Sequence, residues 1–386
     1  MPGRQLFDVG PRTENRLKLA SESHFSFYNL SAEAHVETVR HLLENWFTRY
    51  PDEAKDELRA RLRGDDTNFH GAFFELYLHE LLTRMGYQVL LHPDIEGEPK
   101  HPDFLVLREG EPLFYLEATV VGPSRQEIAA AKREAVVYDA LNEVHSPDFF
   151  IGVRIEVDSK KPPPGAKLSR RIQKWLRTLD YDELQSIHQP GNLAQLPTFL
   201  WDDGDWVVRF TALPKKPDHR GEPGVLPIGN WTGTADWVNY RARLRSSLSK
   251  KARAYRNLDR PFLLAVNVLD ENITGAEFGE ALLGELCIVV PRTDDDPNDQ
   301  PAELHKPNGV WRGPRGPQNR RLSAVLFARN LVVWSLHRAP ILCHNPWAAH
   351  PLPPDLWPLP QQPPADQPAE TDIHNLLDLP EPWPPW

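Results

Sequence analysis

The segment Pro102-Asp-Phe-Leu-Val-Leu-Arg-Glu-Gly-Glu-Pro-Leu-Phe-Tyr-Leu-Glu-Ala-Thr119 contains the pattern that decides the fold. Two short apolar runs flank Arg108-Glu-Gly-Glu111, which has the composition of a tight turn. The pattern predicts a β-hairpin that brings Asp103 beside Glu117. Two adjacent carboxylates repel each other unless a cation lies between them, and hard divalent cations prefer oxygen ligands. The hairpin therefore predicts a cation site.

Glu117 is the more informative of the two acids. It lies inside the apolar run 113–121, where burial of an unpaired charge costs several kcal/mol. Side chains alternate across a strand, so Leu113, Tyr115, Glu117 and Thr119 are expected on one face. A carboxylate on that face needs a partner, and a cation shared with Asp103 would supply one.

A helix is predicted from about residue 66 to residue 85, immediately upstream of the hairpin. Asp66, Thr67 and Asn68 are all suitable N-caps, and Gly86 is a suitable stop. Glu75 lies at the border of the apolar stripe of this helix, where it can reach a neighbouring strand end. As an isolated residue, Glu75 is equally well explained as an ordinary glutamate at a helix edge.

The chain has 386 residues, enough for one large domain or two ordinary ones. The sequence contains no run of about eighteen or more apolar residues, so no membrane span is predicted. The N-terminus lacks the apolar segment of a signal peptide. The two cysteines, Cys287 and Cys343, have no CxxC spacing, which favours reduced thiols in a cytoplasmic protein. The formal charge of −10 argues weakly against a polyanionic partner.

Basic residues are nevertheless concentrated in two predicted helices, 168–178 and 235–256. Local patches, rather than the net charge, decide whether a nucleic acid can bind. Contacts from such helices would position a phosphate backbone without reading its sequence. Charged helices are also commonly just solvated faces, so both interpretations remain open. The candidate nucleic-acid contacts are Arg170, Arg171, Lys174, Arg241, Arg245, Lys250 and Lys251.

Five segments are expected along the chain. Residues 1–64 form a helical N-terminal cover, and 65–157 an α/β core with a mixed sheet. Residues 158–234 form an inserted α+β segment, and 235–345 continue the core sheet and its helices, with late strands near 322–328 and 331–336. Residues 346–386 are a tail rich in proline and tryptophan, for which extended or disordered structure is expected. The tail could recruit a protein partner or lie along its own domain.

Taken together, the chain resembles the PD-(D/E)XK, or restriction-endonuclease-like, nuclease superfamily over roughly residues 66–155. Four pieces carry the resemblance in the family's order: Gly71-Ala-Phe-Phe-Glu75 on the first helix, Pro102-Asp103, Glu117-Ala118-Thr119, and a helix over 124–142. The resemblance implies an α/β fold with a restriction-endonuclease-like core, whose mixed central sheet is flanked by helices. It also implies a Mg²⁺-dependent nuclease, with Mn²⁺ as a substitute ion and DNA as the favoured substrate, acting in defence or DNA processing.

Under this resemblance Asp103 and Glu117 would be Mg²⁺ ligands, and Glu75 would hold a second ion or a metal-bound water. The family mechanism is attack by a metal-activated water on a phosphodiester. Such nucleases often act as dimers, so an oligomer is also possible.

The chain departs from the family at Thr119, which stands where a lysine is usual. A threonine hydroxyl can hydrogen-bond a water but brings no positive charge. One hypothesis is that another lysine has taken over the role, and Lys132 on the helix 124–142 is the expected replacement. Lys132 is explained equally well as a lysine extending from a surface helix. The other hypothesis is a degenerate site in a protein that binds nucleic acid, or recruits a partner, without cleavage.

Overall fold

The computed structural model describes residues 5–187, 195–221, 227, 240–289, 302–362 and 372–385. The chain divides into two compact units. The first unit comprises residues 1–14, 24–122 and 239–386, and the second comprises residues 15–23 and 123–238. Over the described residues, none of the helices has the length and hydrophobicity that crossing a membrane requires.

Helices and strands alternate along much of the chain. The helices are α1 (His24–Leu30), α2 (Ala34–Arg49), α3 (Lys55–Leu62), α4 (Asp66–Arg84), α5 (Arg125–Asn142), α6 (Gly165–Leu176), α7 (Tyr181–Ile187), α8 (Tyr240–Ala252), α9 (Gly275–Leu283) and α10 (Ile373–Leu376). The strands are β1 (Gln88–Leu91), β2 (Phe104–Arg108), β3 (Glu111–Val121), β4 (Phe149–Val157), β5 (Thr198–Asp202), β6 (Val207–Pro214), β7 (Phe262–Val268), β8 (Leu286–Val289), β9 (Ala302–His305), β10 (Arg312–Gly313), β11 (Gly316–Pro317), β12 (Leu322–Arg329), β13 (Ile341–His344) and β14 (Gln361–Gln362).

The first unit is built on a seven-stranded mixed sheet in the order β1-β2-β3-β7-β12-β13-β14. Strands β1, β2 and β3 are antiparallel, whereas β3, β7 and β12 run parallel. Helix α4 packs on one face in a core with α1 to α3, and helices α8 and α9 contribute to the core on the other face. The expected α/β class, with a mixed central sheet flanked by helices, is confirmed.

Helix α4 begins and ends for local reasons. The carboxylate of Asp65 accepts the N–H of Asn68 at 2.9 Å, so the N-cap lies one residue before the predicted candidates. Gly86 follows the helix with φ +84°, a left-handed conformation that glycine adopts without strain. Most α4 side chains from Phe69 to Leu82 are buried, so the helix is more enclosed than a single apolar stripe implies.

The predicted hairpin is confirmed, with Phe104 paired to Leu116 across β2 and β3. Its turn contains Glu109 at φ +53° and Gly110 at φ +85°, as expected of a two-residue hairpin turn. A register shift makes Leu113 an unpaired extra residue, and its side chain packs with the α4 core. The expectation that Leu113 shares a face with Tyr115 is therefore wrong, because the bulge interrupts the alternation.

The expected boundaries of the core differ from the observed ones. Strand β4 does not join the central sheet, because it pairs with β6 in a separate three-stranded sheet ordered β4-β6-β5. The long segment of the second unit therefore covers residues 123–238, instead of 158–234. An apolar strand pattern indicates burial but does not specify the pairing partner. The parallel neighbour of β3 is β7, which follows the second unit in the sequence.

The second unit has its own apolar core. Helix α6 buries Leu168, Ile172 and Leu176 at helical spacing, and strand β6 alternates buried and half-buried residues. Trp201 and Trp206 complete the same core, at 3% and 1% exposure.

The segment after residue 345 is ordered where it is described. Trp357, Leu377 and Trp383 are buried in the α4 core, and the hydroxyl of Tyr87 donates to the carbonyl of Leu356 at 2.6 Å. Disorder is therefore the wrong expectation for residues 346–362 and 372–385, which lie along their own domain. The predicted late strand near 331–336 is also wrong: this stretch contains a 3₁₀ turn, Val333–Ser335, and β13 follows it.

Candidate functional site

The hairpin places Asp103 and Glu117 together in the first unit. Asp103 immediately precedes β2, and its Oδ2 accepts the N–H of Ala118 at 2.6 Å. Glu117 is buried, with 6% of its surface exposed. Burial, followed by the negative charge of Glu117, raises the pKa of Asp103 to about 7. The two carboxylates therefore interact, and Asp103 holds its proton more tightly than an isolated aspartate does.

Glu117 has two donors, both supplied by α8 and the residues that follow it. Lys251 Nζ forms an ion pair with Glu117 Oε1. The hydroxyl of Tyr255 lies 2.6 Å from Glu117 Oε2 and 3.0 Å from the carbonyl oxygen of His101. Burial and the hydrogen bond to Glu117 raise the pKa of Tyr255, so this hydroxyl stays protonated and able to donate.

Helix α8 delivers Lys251 because of where it lies in the chain. The helix belongs to the connection between the parallel strands β3 and β7, and it contacts both of them. Leu244 and Leu248 are fully buried and fix the helix against the sheet. Lys251 lies one turn after Leu248, at the edge of this apolar stripe, with about a third of its side chain exposed (35%). The neighbouring Lys250 is exposed to solvent.

Glu75 is held by a separate pair of donors. The hydroxyl of Tyr50 donates to its Oε1 at 2.7 Å, and Arg61 Nη2 lies 2.7 Å from its Oε2. Its side chain is almost fully buried. The charge of Glu75 contributes to the raised pKa of Asp103, so the acids interact electrostatically. Arg61 compensates the charge of Glu75 as Lys251 compensates that of Glu117. The charge of Glu75 raises the pKa of Asp103 less than that of Glu117 does, so Glu75 is the weaker candidate for a cation ligand.

The donor set around the hairpin can be compared with the needs of a metal ion. Across the described ranges, no group of three or more His, Cys, Asp or Glu side chains is arranged to hold a metal. Mg²⁺, however, usually keeps several waters and binds through one or two carboxylates. Asp103 and Glu117 meet this smaller requirement, since they are two neighbouring carboxylates and the negative charge of Glu117 adds to the raised pKa of Asp103. The pair fits Mg²⁺ in its chemistry.

Two other predicted catalytic residues lie differently. Thr119 is half-buried on the β3 face that carries Glu117, and its hydroxyl has no hydrogen-bond partner among the described residues. Lys132 is exposed on α5, which belongs to the second unit. Lys251, which the sequence suggested as a phosphate contact, is the lysine that reaches the acids.

The remaining basic candidates are mostly on the surface. Arg170, Arg171 and Lys174 lie on the exposed side of α6, opposite its buried leucines. Arg245 has partners within the first unit, donating to the carbonyl of Asn308 at 3.1 Å. The side chain of Arg241 lies outside the described residues. These placements leave the expected contacts with nucleic acid as predictions.

Sequence reasoning missed Tyr50, Arg61 and Tyr255. One signal for Lys251 and Tyr255 was present: they follow Leu248 at helical spacing and closely precede the buried strand β7. No comparable local signal exists for Tyr50 and Arg61, because both reach Glu75 from separate segments.

Comparisons of this chain with protein-family models, curated proteins and solved structures find no match.

Proposed function

We propose that this protein is a Mg²⁺-dependent nuclease with a restriction-endonuclease-like core, and that it hydrolyses phosphodiester bonds of DNA at Asp103, Glu117 and Lys251. The observation that carries the proposal is the ion pair between Lys251 and Glu117. It supplies a lysine to the site from a different element, where the Glu117-Ala118-Thr119 segment has none.

The chain order supports the same proposal. Helix α4 is followed by the antiparallel strands β1, β2 and β3, then by helix α8 and by β7, which is parallel to β3. This order resembles the helix, strands, helix and strand of the restriction-endonuclease-like core, with the second unit inserted after β3. In this comparison α8, rather than α5, corresponds to the helix behind the acidic strand.

Each residue of the site has a distinct role in the proposed hydrolysis. Asp103 and Glu117 would hold Mg²⁺, which when bound lowers the pKa of water and neutralises charge on the phosphate. The N–H of Ala118 and the hydroxyl of Tyr255 fix one oxygen of each carboxylate. Lys251 places an ammonium group beside Glu117, where it can donate to a water or to a phosphate oxygen that gains negative charge. Thr119 can orient a water on the same face.

The test is cleavage of supercoiled plasmid and single-stranded DNA with Mg²⁺ or Mn²⁺. Wild-type protein should cut, and Asp103→Asn should not, because it removes one of two carboxylates. Lys251→Met should also lose cleavage, whereas Lys250→Met removes the same charge from the same helix without touching Glu117. Lys250→Met is expected to weaken DNA binding at most, with the single-turnover rate at saturating DNA retained. Equal loss in both lysine variants would contradict the role of Lys251.

A second candidate function, binding of nucleic acid without cleavage, is favoured by one specific observation. Glu75 and Glu117 are each held by a cationic side chain and by a tyrosine hydroxyl. Such a closed set of ion pairs is also a stable arrangement without metal. Calorimetric titration with Mg²⁺ separates the two: no heat of binding, together with DNA affinity that survives Asp103→Asn, would favour the binding protein.

A further inference from the structure

A cavity of about 300 Å³ lies at the end of the central sheet, within the first unit. It is lined by Gly275, Phe327, Arg329, Arg338, Ala339 and Ile341. Arg329 is the last residue of β12, and Gly275 is the first residue of α9. Ligands of α/β proteins commonly bind at the carboxyl ends of parallel strands, and β12 is one of the parallel strands here.

The two arginines at this cavity have unused hydrogen-bonding capacity. Arg329 and Arg338 are exposed, and neither guanidinium forms a hydrogen bond or ion pair within the part of the chain that the structure describes. The nearby acids are otherwise engaged. Glu271 accepts a hydrogen bond from Asn330 at 3.1 Å, and Glu277 closes the capping box of α9. Two uncompensated guanidinium groups form a site for an anion with several acceptor oxygens, of which phosphate is the usual case.

The rest of the lining is apolar or open. Phe327 stacks on Phe278 with ring centroids 4.0 Å apart, and Ile341 pairs with Phe327 across β12 and β13. A Cβ added at Gly275 would meet nothing within 4 Å, so a ligand can approach the backbone at the start of α9. An apolar interior with two cations fits a ligand that has a flat apolar part and a phosphate, which describes a nucleotide.

The register of the sheet relates this cavity to the acidic pair. Thr119 pairs with Val266, Val266 with Phe327, and Phe327 with Ile341. Since neighbouring strands are about 4.8 Å apart, the backbones of Thr119 and Phe327 are separated by roughly 10 Å. Phe327 also belongs to the core on the face that carries Glu117. The cavity and Thr119 thus lie at the same level of the sheet, two strands apart.

We infer that this cavity is a nucleotide subsite: it holds one nucleotide of the substrate strand, with the phosphate between Arg329 and Arg338 and the base against Phe327 and Ile341. The inference rests on the proposed nuclease function, because it places a flanking nucleotide of the same substrate. It predicts that substrates too short to reach the cavity bind more weakly, while the chemistry at the acids is unchanged.

Binding is tested first, without metal, by fluorescence anisotropy of full-length protein with short labelled single-stranded DNA. Arg329→Gln and Arg338→Gln should each weaken binding by about tenfold, because each removes a charge-assisted hydrogen bond to phosphate. Arg315→Gln is the matched control, since Arg315 is exposed in the turn between β10 and β11 and has no partner among the described residues. An equal effect of Arg315→Gln would overturn the inference by showing a general charge effect.

A second pair of variants tests the cavity without changing charge. Gly275→Leu should fill it and weaken DNA binding, whereas Gly279→Leu should not, although it is the same substitution one turn later in α9. An added Cβ meets nothing within 4 Å at either position, so both variants should fold. Wild-type affinity in Gly275→Leu would overturn the inference.

Cleavage separates this inference from the proposed function. If wild-type protein cuts DNA and the variants at Arg329, Arg338 and Gly275 raise KM without lowering kcat, both stand. If wild-type protein cuts but these variants have unchanged KM, the subsite fails and the nuclease remains. If wild-type protein does not cut but the same variants lose DNA binding, the subsite stands and the nuclease fails.

Discussion

Two buried glutamates of the first unit, Glu80 on α4 and Glu117 on β3, differ in the charges around them. Glu80 on α4 is fully buried, and Arg49 and Arg84 both hold it, with Arg49 Nη2 and Arg84 Nε at 2.6 and 2.8 Å from its Oε1. Glu117 is also buried, but a single lysine serves it and a second acid, Asp103, lies beside it. Two cations for one acid make a structural cluster, whereas two acids near one cation leave room for a cation from solution. The balance of charges around a buried acid, more than its burial, therefore indicates a candidate cation site.

The largest expected effect is on cleavage. Lys251→Met should reduce the single-turnover cleavage rate by about 100-fold or more, because it removes positive charge at the reacting phosphate. Arg84→Met, which breaks the other cluster, should lower stability and leave the rate per folded molecule near the wild-type value. The rate of plasmid cleavage, corrected for the folded fraction, is measured for both variants. A comparable loss in Arg84→Met would remove the distinction between the two clusters.

The next effect is on the free energy of unfolding, for which variants of the Glu80 cluster should lose more than variants at Glu117. Glu80→Gln should lower the free energy of unfolding by about 3 kcal/mol, because it leaves Arg49 and Arg84 without their partner. Glu117→Gln should cost less, since it also relieves the repulsion with Asp103. Urea denaturation, with both variants at the same pH, measures the difference. A larger loss in Glu117→Gln would mean that the acidic pair is mainly structural.

A smaller effect is the pH dependence of the stability of metal-free protein. The pKa of Asp103 is raised from 3.8 to about 7, so the folded state retains a proton that the unfolded state loses between these values. This contribution to stability is complete below about pH 4 and is lost as the pH rises through 7. Asp103→Asn should remove this slope, and Mg²⁺ should stabilise wild-type protein but not the variant above pH 7. Thermal unfolding across the pH range shows whether the slopes differ; identical slopes would refute the assignment.

The smallest expected effect is at the tyrosines. Tyr255→Phe should lower cleavage by about tenfold or less, because Glu117 keeps Lys251 but loses the hydroxyl that orients it. Tyr50→Phe is the matched variant at Glu75, and it should affect stability more than rate. Single-turnover rates and urea midpoints together distinguish the two. Equal rate losses would bring Glu75 back as a participant in the chemistry.

The parts of the site that could be predicted are those made by nearby residues. The turn composition around Glu109 and Gly110 was sufficient to predict that Asp103 and Glu117 meet, and the boundaries of α4 followed closely from its cap candidates and Gly86. The contact of Lys251 with Glu117 was missed, because it depends on which helix covers β3, and the helix next in sequence belongs to the second unit. The same insertion hid β7 as the neighbour of β3.

The burial of the segment after residue 345 was predicted less well, because its composition was the main guide there. The proline content after residue 345 favoured disorder, but Trp357, Leu377 and Trp383 bury enough apolar surface to order the described parts of this segment. Proline prevents regular pairing along a segment without preventing its side chains from packing.

The insertion of the second unit after β3 also sets when the site can form. Glu117 and Lys251 are separated by 134 positions, so a ribosome must complete the whole second unit and α8 before the lysine can meet the acid. At about 5–20 residues per second, synthesis of that stretch takes on the order of ten seconds. During this time the nascent chain already contains both carboxylates but lacks the ammonium group that the proposed hydrolysis needs. The order of the residues along the chain would thus delay the proposed activity until well over half of the protein has been synthesised.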